Sequence, residues 1–412
     1  MADICIVTGA HLCRNPRVVK EADALASAGH DVTVLGPAFS DALAQTDDAL
    51  SRGAAWTHRI VVDLRRGWRS TAYRFERRLA NETKRVLGRD SPAMLGYGLK
   101  AMLQAADAER ADLTIGHQEV GTWVCAQLVR RGRRIGVDVE DWYSHHPHPS
   151  ERDRHAVRLL ERVERETLQH AAYSLTTSDA LADTLAAAYD APRPDVVYNA
   201  FPWSDRTTID GRQVDRTDPS RLSLHWVSQT IGPDRGLDLV FEALHLVKTP
   251  VAVHLRGQLP DAHREWLYSA FPSEPHALHV HPLVPPSELL SRIAEHDVGL
   301  ALETTDIESR DLTVTNKILH YLLGGLAVIA SHTAGQAEVA ARAPGAISLV
   351  GQTDVSGLAD AIAAFADAPD RLRAARAAAL DAARRTFCWE QQAATVLNAA
   401  ETALSGGPQP RL

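Results

Sequence analysis

Cysteine is scarce and scattered. Cys5, Cys13, Cys125 and Cys388 are the only four in 412 residues, and no two form a C-x-x-C pair. That spacing argues against a zinc site or a disulfide framework and favours a reducing compartment. No apolar run approaches the roughly 18 residues that span a bilayer. Met1-Ala2-Asp3 leads straight into a strand-like segment rather than a basic and apolar leader, so a cytoplasmic protein is expected. Positive charge is also short: 44 Lys+Arg against 52 Asp+Glu gives a formal net charge of -8, which argues against nucleic acid as a partner. Lysine itself is rare, five of those 44 basic residues, which draws attention to Lys317 as a compact ammonium in a chain that otherwise uses Arg. Finally, the first βα turn, Thr8-Gly9-Ala10-His11-Leu12-Cys13-Arg14-Asn15-Pro16-Arg17, lacks the second and third glycines of a dinucleotide fingerprint, which speaks against a nicotinamide enzyme.

What is present suits a large α/β protein. Hydrophobic residues make up 45% and charged residues 23%, enough for full-sized cores. At about 150 residues per domain the chain divides into two or three domains. Short apolar runs at Ile4–Val7, Val32–Leu35, Trp56–Val62, Asp112–Ile115, Arg134–Asp138, Tyr173–Thr176 and Val196–Tyr198 alternate with helical patterns such as Asn15–Ala28, Val120–Arg131, Glu151–His170 and Ala180–Ala188. A second series follows, with strands at Leu222–Val227, Val251–Arg256, Leu278–His281, Val298–Leu302, Ala327–Ala330 and Ile347–Val350. Between the two lies a polar, turn-rich stretch, 205–221, read as a linker. The expected organisation is a first domain over 1–204, a second over 222–388, and a closing helix 389–404 after the break at Phe387-Cys388-Trp389.

In open parallel sheets, ligands bind at the carboxyl ends of the strands, so the polar residues found there are the candidates. In the first half these are His117, Glu140 and Asp141; the same carboxylates also suit capping, and His117 a loop histidine. Arg14 and Arg17 stand at a helix entrance, where phosphate or acceptor contact and a surface role are equally open. In the second half, Gln229-Thr230-Ile231-Gly232-Pro233-Asp234-Arg235-Gly236 follows a strand and opens a helix, a place where backbone N–H groups and Arg235 can converge on a diphosphate. Asn316, Lys317 and His320 fall within about one turn at another helix start. Residues 64–89 carry nine basic side chains against Glu76 and Glu82, with Trp68, Tyr73, Phe75 and Leu79 interleaved. That pattern reads as a helix for an anionic membrane surface, as a site for an anionic acceptor, or as a solvated Arg-rich helix.

Taken together, Arg14-Asn15-Pro16-Arg17, Asp138-Val139-Glu140-Asp141, Arg235-Gly236-Leu237 and Asn316-Lys317 with Gly325-Leu326-Ala327-Val328-Ile329-Ala330-Ser331 resemble the GT-B glycosyltransferases, and specifically the retaining family 4. The resemblance implies two doubly wound Rossmann-like domains facing across a cleft and transfer of a sugar, with retention, from a nucleotide-diphosphate sugar. It assigns catalysis to His117, Glu140, Arg235 and Lys317. Donor binding falls to Gly9, Gln229, Thr230, Arg235, Arg256, Leu283, Glu303, Asn316, Lys317 and His320. The acceptor side holds Arg14, Arg17, His117 and Asp141. No cofactor and no metal are expected, since cationic side chains and helix N-termini can neutralise the leaving diphosphate. The implied acceptor is a sugar, a lipid-linked or a small-metabolite molecule, and the implied setting is cell-surface glycan or glycoconjugate synthesis; the stretch 64–89 adds the expectation of a peripheral place at the inner face of the membrane. The chain departs from the family where two glutamates spaced E-x7-E are usual: Leu312 and His320 stand there, with Glu303, Asp306 or Glu308 as substitutes. Two further readings share the fold, a nucleotide-sugar epimerase or hydrolase and a degenerate nucleotide-sugar-binding protein.

Overall fold

The computed structural model describes residues 1–216, 218–233, 236–304 and 307–406. They fall into two compact units, Met1–Val197 with Ala393–Leu412, and Tyr198–Gln392.

The first unit is built on β1 (Asp3–Val7), β2 (Asp31–Ala38), β3 (Thr57–Asp63), β4 (Leu113–His117), β5 (Ile135–Val139), β6 (Tyr173–Thr176) and β7 (Asp195–Val196), in the order β3-β2-β1-β4-β5-β6-β7. Every pairing is parallel. Helices cover both faces of such a sheet, so its strands read as continuous apolar runs. Ile4, Ile6, Val32, Val34, Leu113, Ile115, Ile135 and Val137 are all at most 2% exposed, each contributing about 1.5–3 kcal/mol by burial. Two glycines allow the helix Gln118–Val129 to lie close on this sheet: a Cβ on Gly116 would stand 2.6 Å from the Gly121 carbonyl, and one on Gly121 2.6 Å from that of Val7. The expected helix 151–170 is interrupted. Pro149–Arg154 is a 3-10 turn, His155 is extended, and the α-helix starts at Val157 and runs to His170.

The second unit has β8 (Leu222–Thr230), β9 (Val251–Gln258), β10 (Ala277–His281), β11 (Val298–Ala301), β12 (Ala327–Ser331) and β13 (Ile347–Val350), ordered β10-β9-β8-β11-β12-β13 and again wholly parallel. One face packs Leu224, Trp226, Val253, Leu255, Leu300 and Ile329 into a core. A stack of imidazoles forms a second buried layer. His225, His254 and His279 are register partners on β8, β9 and β10. The His225 and His296 rings lie 4.4 Å apart, those of His254 and His279 4.5 Å, and those of His254 and His296 4.6 Å. Neither ring nitrogen of His225 has a hydrogen-bond partner.

The stretch 205–221 belongs to this second unit rather than forming a linker. Its charges are used internally. The Arg292 guanidinium donates to Asp210 at 2.7 Å, the Asp215 amide donates to Glu295 at 2.7 Å, and Arg216 pairs with Asp297 at 2.8 Å. Polarity here marks ion pairing along the helix Pro286–Ala294 and the turn after it, not solvation.

Candidate active site

In the first unit, the strand order reverses between β1 and β4, and the loops after both strands meet. The Gln118 Oε1 accepts from the Thr8 hydroxyl at 3.2 Å and from the Gly9 amide at 3.1 Å, tying the two loops together. Gln118 holds a left-handed backbone, φ +60°, which costs a non-glycine residue about 1–2 kcal/mol and is found mainly where surrounding structure imposes it. Gly9 is needed for closeness, since a Cβ there would sit 2.7 Å from the Val120 side chain.

Behind these loops lies a buried charge network. His117 is fully buried, its Nε2 2.5 Å from Glu21 and its Nδ1 3.4 Å from Glu140. Burial opposes charge on this ring, but Glu21, Glu140 and Asp138 outweigh it and push its pKa up to about 10. His117 is therefore an imidazolium with no lone pair to offer. Arg17, 1% exposed, donates from Nε to Asp138 at 2.5 Å and from a terminal nitrogen to the Val197 carbonyl at 2.6 Å. Glu140 is the one carboxylate of the set with access to solvent, its side chain 17% exposed. The Asn15 amide donates to it at 2.8 Å. Burial would raise its pKa, but His117, Arg17 and Asn15 hold it below the usual carboxylate range. The result is an ionised carboxylate, oriented from behind by an imidazolium and presented at the edge of the network.

The second unit has its own reversal point, between β8 and β11. Gly236, φ +76°, opens the helix Leu237–Leu244 against Leu302 just past β11, where a Cβ would approach the Leu302 Cβ to 2.6 Å. Glu303 follows, its amide donating to the Ser331 hydroxyl at 2.6 Å. Lys317 reaches back from the first turn of the helix Asn316–Gly324 and donates to Glu303 at 2.7 Å, with its ammonium 5.6 Å from the Trp226 ring centroid. Lys317 and Glu303 are 16% and 14% exposed. No side chain caps that helix, and the buried Thr315 hydroxyl beside its start has no partner. Uncapped N–H groups, an ammonium and a carboxylate thus share one place, a suitable seat for an anionic group carrying hydroxyls.

Several expected ligand residues are placed elsewhere. Arg17 and Arg256 are interior ion-pair centres: Arg256, 1% exposed, is held by Asp215 and by the Pro282 carbonyl at 2.5 Å. Asn316, Gln229 and Arg14 are exposed, Leu283 is 46% exposed, and Thr230 is half-buried. His320 stacks on Phe201 with ring centroids 3.5 Å apart. Asp141 lies beside Glu140 at partial exposure. Arg235 and Asp306 lie outside the described residues. Glu119, not singled out in the sequence, lines a hollow of about 1310 Å³ with Arg77, Arg85, Arg152 and Arg158. Burial and then Glu164 push its pKa up to about 7. Its only sequence signal was its place just after an apolar strand.

Among the described residues, two clusters have metal-ligand geometry: Glu21, His117 and Asp138, and His11, Cys13 and Asp47. In the first, His117 is engaged by Glu21 through Nε2 and by Glu140 through Nδ1; in the second, His11 uses Nδ1 on Asp47 at 2.5 Å and Nε2 on the Phe39 amide at 2.8 Å.

The burial of Arg17 makes a measurable difference. Arg17→Met is expected to destabilise the first unit by about 3–5 kcal/mol, because buried Asp138 loses its hydrogen-bonded partner and keeps only His117 at 4.0 Å. Urea unfolding checks this, and a loss below about 1 kcal/mol together with weakened substrate binding would return Arg17 to a ligand-contact role.

The fold of these two parallel α/β units is the GT-B fold seen in solved glycosyltransferases. The glycosyl transferase 4-like domain family matches residues 15–201, the stretch that holds Asn15, His117 and Glu140. Solved structures of the same fold include sucrose-phosphate synthase from Thermosynechococcus elongatus, 13% identical with a TM-score of 0.71 over 99% of this chain and 100% of that one. HepE from Anabaena in complex with UDP-glucose is 13% identical with a TM-score of 0.68 over 98% and 100%. A trehalose-6-phosphate structure from E. coli bound with UDP-2-fluoro glucose is 12% identical with a TM-score of 0.63 over 99% and 100%. No curated protein matches the chain significantly.

Proposed function

We propose that the protein moves a glycosyl unit from a nucleoside-diphosphate sugar to an acceptor hydroxyl, with retention of configuration, in the assembly of a glycan or glycoconjugate. The observation that carries the donor is the Lys317–Glu303 pair beside an uncapped helix start at the reversal point of the second sheet. HepE, of the same fold, is seen with UDP-glucose, which makes UDP the first base to try.

In this reading Lys317 and the helix N–H groups meet the diphosphate, and Glu303 accepts from sugar or ribose hydroxyls in place of the family glutamate that Leu312 replaces. The C1–oxygen bond breaks with its electron pair leaving on the diphosphate. The acceptor oxygen bonds to C1 on the same face, and its proton passes to the departing phosphate oxygen. Fixed cationic groups, rather than a divalent ion, take the leaving charge. In the first unit, Glu140 is an ionised carboxylate aimed by His117 and open to solvent.

A thermal-shift series with UDP, GDP, ADP and TDP tests the donor assignment. One nucleotide at about 100 times its Kd is expected to stabilise the fold by about 2.7 kcal/mol. No shift with any of them overturns the reading. Consumption of the sugar conjugate without an acceptor separates a transferase from an epimerase or hydrolase.

A further inference from the structure

The helix Trp68–Leu87 is turned inside out. Residues three and four apart share a face of a helix. The face turned to the protein carries Ser70, Tyr73, Arg77, Ala80 and Lys84, all buried or half-buried. The face turned outward carries Trp68, Phe75, Leu79 and Val86, which are 76%, 67%, 56% and 68% exposed. With Leu87 at 62%, five of the eleven exposed large hydrophobic side chains among the described residues sit on this one helix. A helix that only covers a core does the reverse.

The inner face is held in place by polar contacts. The Ser70 hydroxyl donates to the Leu64 carbonyl at 2.8 Å, Lys84 donates to Asp90 at 2.6 Å, and the Arg77 guanidinium lies 4.7 Å from the Tyr97 ring centroid. The outward stripe is flanked by exposed Arg69, Arg74, Arg78 and Arg85 against Glu76 and Glu82, the latter paired with Arg85 at 2.8 Å. A protein with a net charge of -8 therefore concentrates positive charge along one apolar edge.

We propose that this helix docks the protein on an anionic lipid bilayer, lying in the plane of the interface with Trp68, Phe75, Leu79 and Val86 among the acyl chains and the arginines on the headgroups. The charge decides the occupant. A second copy of the chain would bring arginine against arginine, whereas an anionic leaflet complements both the charge and the apolar stripe. At about 1.5 Å per residue the 20-residue helix offers an edge of roughly 30 Å. No helix among the described residues is long and apolar enough to cross a membrane, so this contact lies on the surface of the bilayer. The proposal does not depend on the glycosyl-transfer reading and is tested without activity.

The test is co-sedimentation of the full chain with sucrose-loaded vesicles of phosphatidylcholine containing 30% phosphatidylglycerol (about 30 mol%), and with phosphatidylcholine alone. Binding to the anionic vesicles at low salt is expected, falling at least tenfold (~10) in 1 M salt, where the Debye length shrinks to about 3 Å. The double variant Phe75→Ser/Leu79→Ser is expected to bind at least about tenfold more weakly while its melting temperature holds, since both side chains are already exposed. Arg78→Gln/Arg85→Gln is expected to abolish the preference for anionic over neutral vesicles. Brominated lipid is expected to quench a fluorescence component that Trp68→Phe removes. No co-sedimentation at low salt, or equal binding by the apolar double variant, overturns the proposal. So does a wild-type dimer that the same variant dissociates in the absence of vesicles, which would assign the stripe to a second copy.

Discussion

Between pH 6.5 and 5.5 the second unit is expected to lose roughly 3 kcal/mol of stability, and its melting temperature to fall by about 9 °C. The cause is the imidazole stack. His225, His254 and His296 are at most 1% exposed. Burial pushes His254 down to about 3 and His225 and His296 well below their ordinary value. Neighbouring charges add to this: Arg256 and Arg216, together with His279 and His281, disfavour a further proton, while Asp215, 3.2 Å from His281, is the opposing carboxylate. The direction follows from linkage. With folded-state values lowered, stability is complete above the unfolded value near 6.5 and is lost as pH falls toward the folded value. Each ring that stays neutral when folded costs about 1 kcal/mol over this pH unit, in which its unfolded counterpart goes from about half to about nine-tenths protonated, and three rings give the loss stated.

His225→Leu isolates the effect, because it removes one titrating ring and two unpaired ring nitrogens from a site lined by His296 and Tyr321. The variant is expected to melt higher than wild type at pH 5.5 and to show a pH slope about one third smaller. Scanning calorimetry from pH 7.5 to 5 reads both. Parallel slopes for the two proteins would show that the stack titrates no differently from free histidine.

Lys317→Ala is expected to lower kcat/KM by about 10²–10³, or roughly 3–4 kcal/mol of transition-state stabilisation, with little loss of fold because the ammonium is partly exposed. The companion variant separates binding from chemistry. Glu303→Gln removes the carboxylate that engages Lys317 at 2.7 Å. Nucleoside diphosphate is then expected to bind more tightly, since the ammonium is no longer shared, while turnover falls because the sugar has lost an acceptor. Calorimetric binding and initial rates together check the pair. Full activity in Lys317→Ala, or weaker diphosphate binding in Glu303→Gln, would remove the pair from the donor site.

The strands were legible because a sheet covered on both faces leaves apolar runs between turn residues, as at Ile4–Val7 and Val298–Leu302. The helix Asp41–Ser51 was not, because only Ala44 and Asp47 along it are buried and its stripe is too thin to show a period. Long-range partners were equally hidden. Nothing near Arg17 or Arg256 in sequence announces Asp138 or Asp215, so both arginines read as ligand groups when carboxylates far along the chain already hold them. The histidine stack is invisible for the same reason, since each ring comes from a different strand or turn and each looks solitary. Lys317 and Glu303 were both visible at strand and helix ends, but their pairing was not. The basic stretch 64–89 was readable as a helix; that its apolar side turns outward needed the structure.

The division of the chain also bears on how the protein is made. The second unit, Tyr198–Gln392, is one continuous stretch of 195 residues, whereas the first is completed only by the segment after it. Val396, Ala399, Ala400 and Ala403 are buried there, and Arg134 donates to the Gly406 carbonyl at 2.6 Å. At 5–20 residues per second, roughly 10–40 s separate the end of Val197 from the arrival of that helix at the ribosome. For that interval the first unit lacks the segment that carries Val396, Ala399, Ala400 and Ala403, while the later-made unit can finish ahead of it. The unit begun first is thus the one completed last, and its waiting segment is where a ribosome-associated chaperone has the most to shield.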